Sequence, residues 1–205
     1  MVTNFTASFS LILISELGDK TFFTAAVLAM RHSRALVFAG AFGALALMTA
    51  LSASIAQIFT LLPRAVIHYG MIALLVYFGL QLLRQARKIP ANAAKHEQEE
   101  AQALVERAEK EKRGRMTSLA VLMEAFSLTF LAEWGDRTQL ATMTLAADNS
   151  VWSVIAGGTL GHGVCTAIAV LGGRWLASYI SERAIAYVGG TLFLIFAAIT
   201  LIEGM

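Results

Sequence analysis

From Ala35 to Leu62 the chain runs for 28 residues without one ionisable side chain. A helix that crosses a bilayer needs about 20 mostly apolar residues. In lipid, each backbone N–H and C=O must be satisfied within its own segment, so a block of this kind is a helix. Comparable blocks recur along the 205 residues, of which 57% are hydrophobic and only 15% charged, with a mean hydropathy of +0.65. That balance excludes an ordinary soluble domain, and no alternating strand pattern competes. The expected fold is an all-α membrane protein with six transmembrane helices, at Phe5–Met30, Ala35–Leu62, Ala65–Arg87, Ser118–Ala146, Val151–Tyr179 and Ala184–Ile202. Met1 to Ser10 carry no Lys or Arg, so the first apolar segment is expected to be a retained helix rather than a cleaved signal. Cys165 is the single cysteine, which excludes an internal disulfide.

Residues 88–115 differ in kind. They are rich in Ala, Glu, Gln, Lys and Arg, too charged for lipid, and read as a solvated helical connector. Around it the chain repeats. Glu16-Leu17-Gly18-Asp19-Lys20-Thr21 returns as Glu133-Trp134-Gly135-Asp136-Arg137-Thr138, 117 residues on. The same offset carries Ala39-Gly40 onto Ala156-Gly157 and Thr49-Ala50 onto Thr166-Ala167. An offset shared by two helices marks an internal duplication, with one three-helix repeat over 1–87 and another over 116–205. Three is an odd number, so the repeats are expected to cross the membrane in opposite senses, the inverted topology of many secondary transporters. Thirteen basic residues fall in the connector and in the Arg31/Arg34 and Arg174/Arg183 turns, against Arg64 alone on the other side. The positive-inside rule then puts the connector in the cytoplasm and both termini outside. For so compact a chain the expected location is a bacterial inner membrane.

The motif itself places charge at mid-helix, where an ionisable group costs at least about 2.5–3.5 kcal/mol. In a continuous helix Glu16 and Asp19 share a face, as do Glu133 and Asp136. Inverted symmetry would bring the two faces together as four carboxylates, with Lys20 and Arg137 leaving a formal charge of −2, suited to one divalent cation. Hard cations such as Ca²⁺ and Mn²⁺ take oxygen ligands, and Thr21, Thr138 and Gln139 can add neutral ones. Gly18 and Gly135 would let the helices open. Lys20 and Arg137 would hold the carboxylates, or replace the metal's charge when the site empties. Crowded carboxylates also offer protons to exchange for metal. The purely structural alternative, an i,i+4 pair Glu16–Lys20 and another Glu133–Arg137, leaves Asp19 and Asp136 unexplained.

Two copies of E-x-G-D-[KR]-[TS], one per half, resemble the signature of uncharacterised protein family 0016, which includes Golgi and chloroplast Mn²⁺/Ca²⁺ transporters and bacterial manganese exporters of the MneA type. The resemblance covers essentially the whole chain and departs from the motif in neither copy. It implies Glu16, Asp19, Glu133 and Asp136 as metal ligands and cation export or organelle loading against protons. Partners expected are the divalent ion, protons and the lipid bilayer, with no nucleic acid and no resident cofactor. Two further residues rank lower. Glu124 is half a turn out of phase with Glu133 and suits an interfacial acid, with a gating or relay role as the alternative. His162, where the first half has Leu45, is a packed histidine or a nitrogen ligand that would favour Mn²⁺. Three other functions compete with metal transport: export of a cationic organic solute, an intramembrane metalloenzyme, and a structural subunit. The metalloenzyme finds no H-E-x-x-H pattern, and no enzymatic activity is expected.

Overall fold

The computed structural model describes residues 2–59, 61–89, 93–111, 117–148, 150–177 and 181–203. The connector's Lys112, Arg113 and Arg115 and the Tyr179 end of the fifth expected helix lie outside the described residues. Those described form helices throughout: α1 Val2–Glu16, α2 Lys20–Arg31, α3 Arg34–Phe59, α4 Arg64–Lys88, α5 Ala93–Glu111, α6 Ser118–Ala132, α7 Arg137–Asp148, α8 Val151–Ala177 and α9 Glu182–Glu203.

Two of the six expected helices are not continuous. Phe5–Met30 is split into α1 and α2, and Ser118–Ala146 into α6 and α7, each at its motif. Among the described residues α3, α4, α8 and α9 are long and apolar enough to cross a membrane, and α6–α7, bent by 75°, makes a fifth span if taken as one. The α1–α2 pair is not among them. Large apolar side chains face outward around the bundle, Leu61, Trp152 and Ile202 at 80% exposure or more, as expected of a surface that meets lipid rather than water.

Each broken helix packs on the long helix of the other half. α1 and α2 lie against α8, α6 and α7 against α3, and α4 pairs with α9. Glycines set how closely they approach. A Cβ on Gly157 of α8 would collide with the carbonyl oxygen of Phe5, and one on Gly40 of α3 with that of Leu122. These two contacts correspond under the 117-residue offset, since Phe5 and Gly40 map onto Leu122 and Gly157. Small residues let helices pack backbone to backbone where no hydrophobic effect drives them together.

The connector is not simply solvated. Ala101 and Val105 of α5 are fully buried in one core with Phe22, Phe23 and Val27 of α2. Leu104 and Ala108 flank them, completing an i, i+3, i+4, i+7 stripe. Charge composition hid this narrow apolar face. Arg31 also reaches Glu106 across the contact at 3.2 Å.

Gly157→Ala is expected to cost about 1–3 kcal/mol through overpacking and to lower the melting temperature in detergent. Gly172→Ala, where a Cβ meets nothing within 4 Å, is expected to leave it unchanged.

Candidate cation site

Both motif copies fold alike, and glycine is the reason. α1 ends at Glu16, Gly18 turns with φ 77°, and Asp19 in extended conformation opens α2. In the second copy Glu133 caps α6, Gly135 turns with φ 83°, and α7 starts at Arg137. A residue bearing a Cβ pays about 1–2 kcal/mol in this left-handed region, whereas glycine adopts it freely. The turn closes on itself in each copy. The Asp19 N–H donates to the Glu16 carbonyl at 3.2 Å, and the Asp136 N–H to that of Glu133 at 3.2 Å. Glu and Asp therefore meet across a tight turn, not along one helix face as a continuous helix would have it.

The breaks bring acids of the two halves together. Glu16, Asp19 and Glu133 each present one carboxylate oxygen within 4.8 Å of the others. Oxygens about 2.0–2.6 Å from a shared hard cation lie at such separations. Glu16 and Glu133 are buried, at 3% and 5% exposure, while Asp19 is half-buried. The Thr21 hydroxyl donates to the Glu16 carboxylate at 3.4 Å.

Asp136 stands outside this three-acid cluster. It accepts bonds from the Thr138 hydroxyl at 3.0 Å and the Thr138 N–H at 3.3 Å, as an N-cap of α7 does. Gln139 spends its side-chain oxygen on the Gly135 N–H at 2.7 Å, bracing the turn.

The two basic residues part company. Arg137 lies 3.7 Å from Asp19, an ion pair between the halves. Lys20 instead points away to Glu100 of α5 at 3.5 Å, and neither i,i+4 pair within a motif is formed. Three carboxylates and one guanidinium leave a formal charge of −2. The expected balance thus survives with different members, Lys20 and Asp136 both having left the count.

Of the lower-ranked residues, Glu124 of α6 is buried and is not one of the three clustered acids. His162 is 4% exposed and its Nδ1 has no hydrogen-bond partner. Met143 packs in the core of α4, α7 and α9.

A cavity of about 480 Å³ leads to the cluster from the connector end of the bundle. Its walls include Gln85, Lys88 and Ile89 at the end of α4 and Ile185 at the start of α9, and it reaches Gly18, Asp19 and Arg137. Two voids of about 10 Å³ each, room for about one water, flank the buried acids. Glu16, Thr21, Cys165 and Thr166 line one; Glu133, Thr138, Met48 and Thr49, their counterparts at 117 residues, line the other. Met48, Thr49, Cys165 and Thr166 have no site role in the sequence alone, although Thr49 and Thr166 are visible there as a repeated pair.

The profile of the family described as "Divalent cation/proton antiporter GDT1" matches residues 4–90 and 121–205. The chain is 48% identical over 200 residues to "GDT1-like protein sll0615" of Synechocystis, covering 98% of this chain and 97% of that one. It is 46% identical to "Protein PAM71-homolog, chloroplastic" of Arabidopsis thaliana, over 97% of this chain but 59% of the plant protein. It is also 44% identical to "GDT1-like protein 3" of Oryza sativa, over 93% of this chain and 71% of the rice one. No solved structure matches. A profile spanning both halves, together with relatives alike over nearly their whole shared length, means that the chain belongs to the GDT1 family of divalent cation/proton antiporters.

Proposed function

We propose that this chain exports a divalent metal, Mn²⁺ in preference to Ca²⁺, from the cytoplasm in exchange for protons, binding it between Glu16, Asp19 and Glu133. The observation that carries this is the meeting of those three carboxylates, contributed by both halves, within 4.8 Å of one another. In this reading the connector is cytoplasmic, the halves are inverted repeats, and the 480 Å³ cavity is the inward-facing entrance. A metal enters past Asp19, displaces its ion pair with Arg137, and is held by the two buried glutamates. The site cannot empty with all its carboxylate charge uncompensated in a low dielectric. Protons take the metal's place, because metal ligands bind the ion deprotonated and reprotonate on release. The voids beside the glutamates have room for about one water, which favours a bare ion over an organic cation.

Duplication gives Asp136 its part. Asp19 faces the entrance in this conformation while Asp136 caps α7. In the opposite conformation the two exchange places, so each aspartate serves one face of the membrane.

Proteoliposome uptake of Mn²⁺ and Ca²⁺, with and without a pH gradient, tests the reading. Wild type is expected to carry Mn²⁺ when the gradient is present, and Glu16→Gln or Glu133→Gln to lose at least about tenfold in flux, a ligand worth 1.4 kcal/mol or more. Asp136→Asn, which keeps the cap, is expected to bind Mn²⁺ in detergent within about threefold of wild type yet to transport poorly. A wild-type protein that moves neither metal would sink the proposal.

The two basic residues give a second test. Lys20 and Glu100 are 41% and 48% exposed, and such pairs contribute about 0–1 kcal/mol. Lys20→Ala is therefore expected to change the Mn²⁺ dissociation constant by less than about fivefold. Arg137→Gln removes the cation beside Asp19, so Mn²⁺ is expected to bind more tightly and turn over more slowly, as read by titration and flux on the same preparation.

A further inference from the structure

The two small voids are equivalent by duplication, yet their walls have diverged at several positions. Phe22 beside Glu16 is Gln139 beside Glu133, and Ala25 is likewise Thr142. Leu45, which lines both voids, has His162 as its counterpart, and His162 lines only the one beside Glu133. Ser52 joins this wall too. The wall beside Glu133 is the richer of the two in polar side chains, although Thr21, Thr129 and Thr166 line the other.

Two atoms in the polar wall are unsatisfied. His162 Nδ1 and Glu133 Oε1 are both buried without a hydrogen-bond partner, on side chains only 4% and 5% exposed. A buried polar group left unpaired costs about 1–3 kcal/mol, so two facing one void call for an occupant. Glu133 is also a member of the three-acid cluster, so the void and the cluster share a wall.

We propose that the void between α3, α7 and α8 is a second station for the transported metal, where His162 supplies an imidazole nitrogen beside the Glu133 carboxylate and the Thr138 and Thr142 hydroxyls. This rests on the metal-transport reading above and adds a selecting step to it. Imidazole is a good ligand for first-row transition ions and a poor one for Ca²⁺, which takes oxygens. The three-acid cluster admits either ion; the His162 station discriminates between them. Leu45 at the equivalent position confines the discrimination to one side of the path.

Pulsed electron paramagnetic resonance of Mn²⁺ bound to the full chain in detergent tests this directly. The expected result is ¹⁴N coupling from a directly bound imidazole in wild type, lost in His162→Leu and in His162→Gln. In proteoliposomes the preference for Mn²⁺ over Ca²⁺ is expected to fall roughly tenfold in both variants, with Ca²⁺ flux retained. An oxygen-only spectrum in wild type would mean that the void holds water, and would overturn the proposal without any variant having to fold. So would nitrogen coupling that persists in both variants, which would place the ligand at another histidine. Wild-type Mn²⁺ flux separates the two levels: flux with a nitrogen-free spectrum leaves the transport reading standing and removes this station, whereas no flux removes both.

Discussion

Burying Glu16 and Glu133 is the constraint from which the rest of the arrangement follows. An ionised carboxylate taken out of water costs several kcal/mol unless charge and hydrogen bonds are returned to it, and the one guanidinium at hand, Arg137, is paired with Asp19. What the fold supplies instead is local. The two helix breaks aim the first turns of α2 and α7 at the acids, and the unpaired N–H groups of a helix start carry partial positive charge. Thr21, in the first of those turns, gives its hydroxyl to Glu16, and Thr138, whose hydroxyl bonds Asp136, lines the void beside Glu133. The net negative charge that remains is what makes the site suit a cation.

Breaking two helices inside an apolar bundle has its own cost, because each break frees backbone groups that lipid cannot satisfy. The fold holds the first break in the interior, with Glu16 and Gly18 buried. At the second, where Trp134 and Gly135 are exposed, the Gln139 side chain accepts from the Gly135 N–H. Each half's broken helix lies against the other half's long one. The Gly40 and Gly157 contacts allow that pairing at backbone distance. Glycine thus serves in two ways: its free φ opens the site at Gly18 and Gly135, and its missing Cβ closes the bundle at Gly40 and Gly157.

Much of this was legible in the sequence. Helical class follows from uncharged blocks such as Ala35–Leu62, and the duplication from the 117-residue offset. Glu16, Asp19 and Glu133 come together as the repeated motif implied. The two glycines mark where the helices can open, but the expected ranges Phe5–Met30 and Ser118–Ala146 run through them, because only the positive φ shows that the chain turns there. A continuous helix puts Glu16 and Asp19 on one face with Lys20 beside the acids, whereas the turn sends Lys20 to Glu100. The docking of α5 was hidden for another reason. Its stripe of Ala101, Leu104, Val105 and Ala108 is narrow, and small apolar residues among many charges leave average composition unchanged.

α5 also explains why two halves of common origin need not be interchangeable. α7 is the counterpart of α2 at the 117-residue offset, and each carries one aspartate at its start. The outer side of α7 packs against α4, while α2 packs against α5, a helix outside both repeats. Detaching α7 means parting two apolar helices of the bundle. α2 is buried from Thr21 to Ala29, between α8, α3 and the connector helix, whereas Leu140 of α7 is exposed. The half-helix bearing Asp19, at the mouth of the large cavity, is therefore the more fully enclosed of the two. Part of its cover, with the ion pairs Lys20–Glu100 and Arg31–Glu106, comes from α5. Its grip depends on residues that duplication did not supply, so the two faces of the site can be tuned independently.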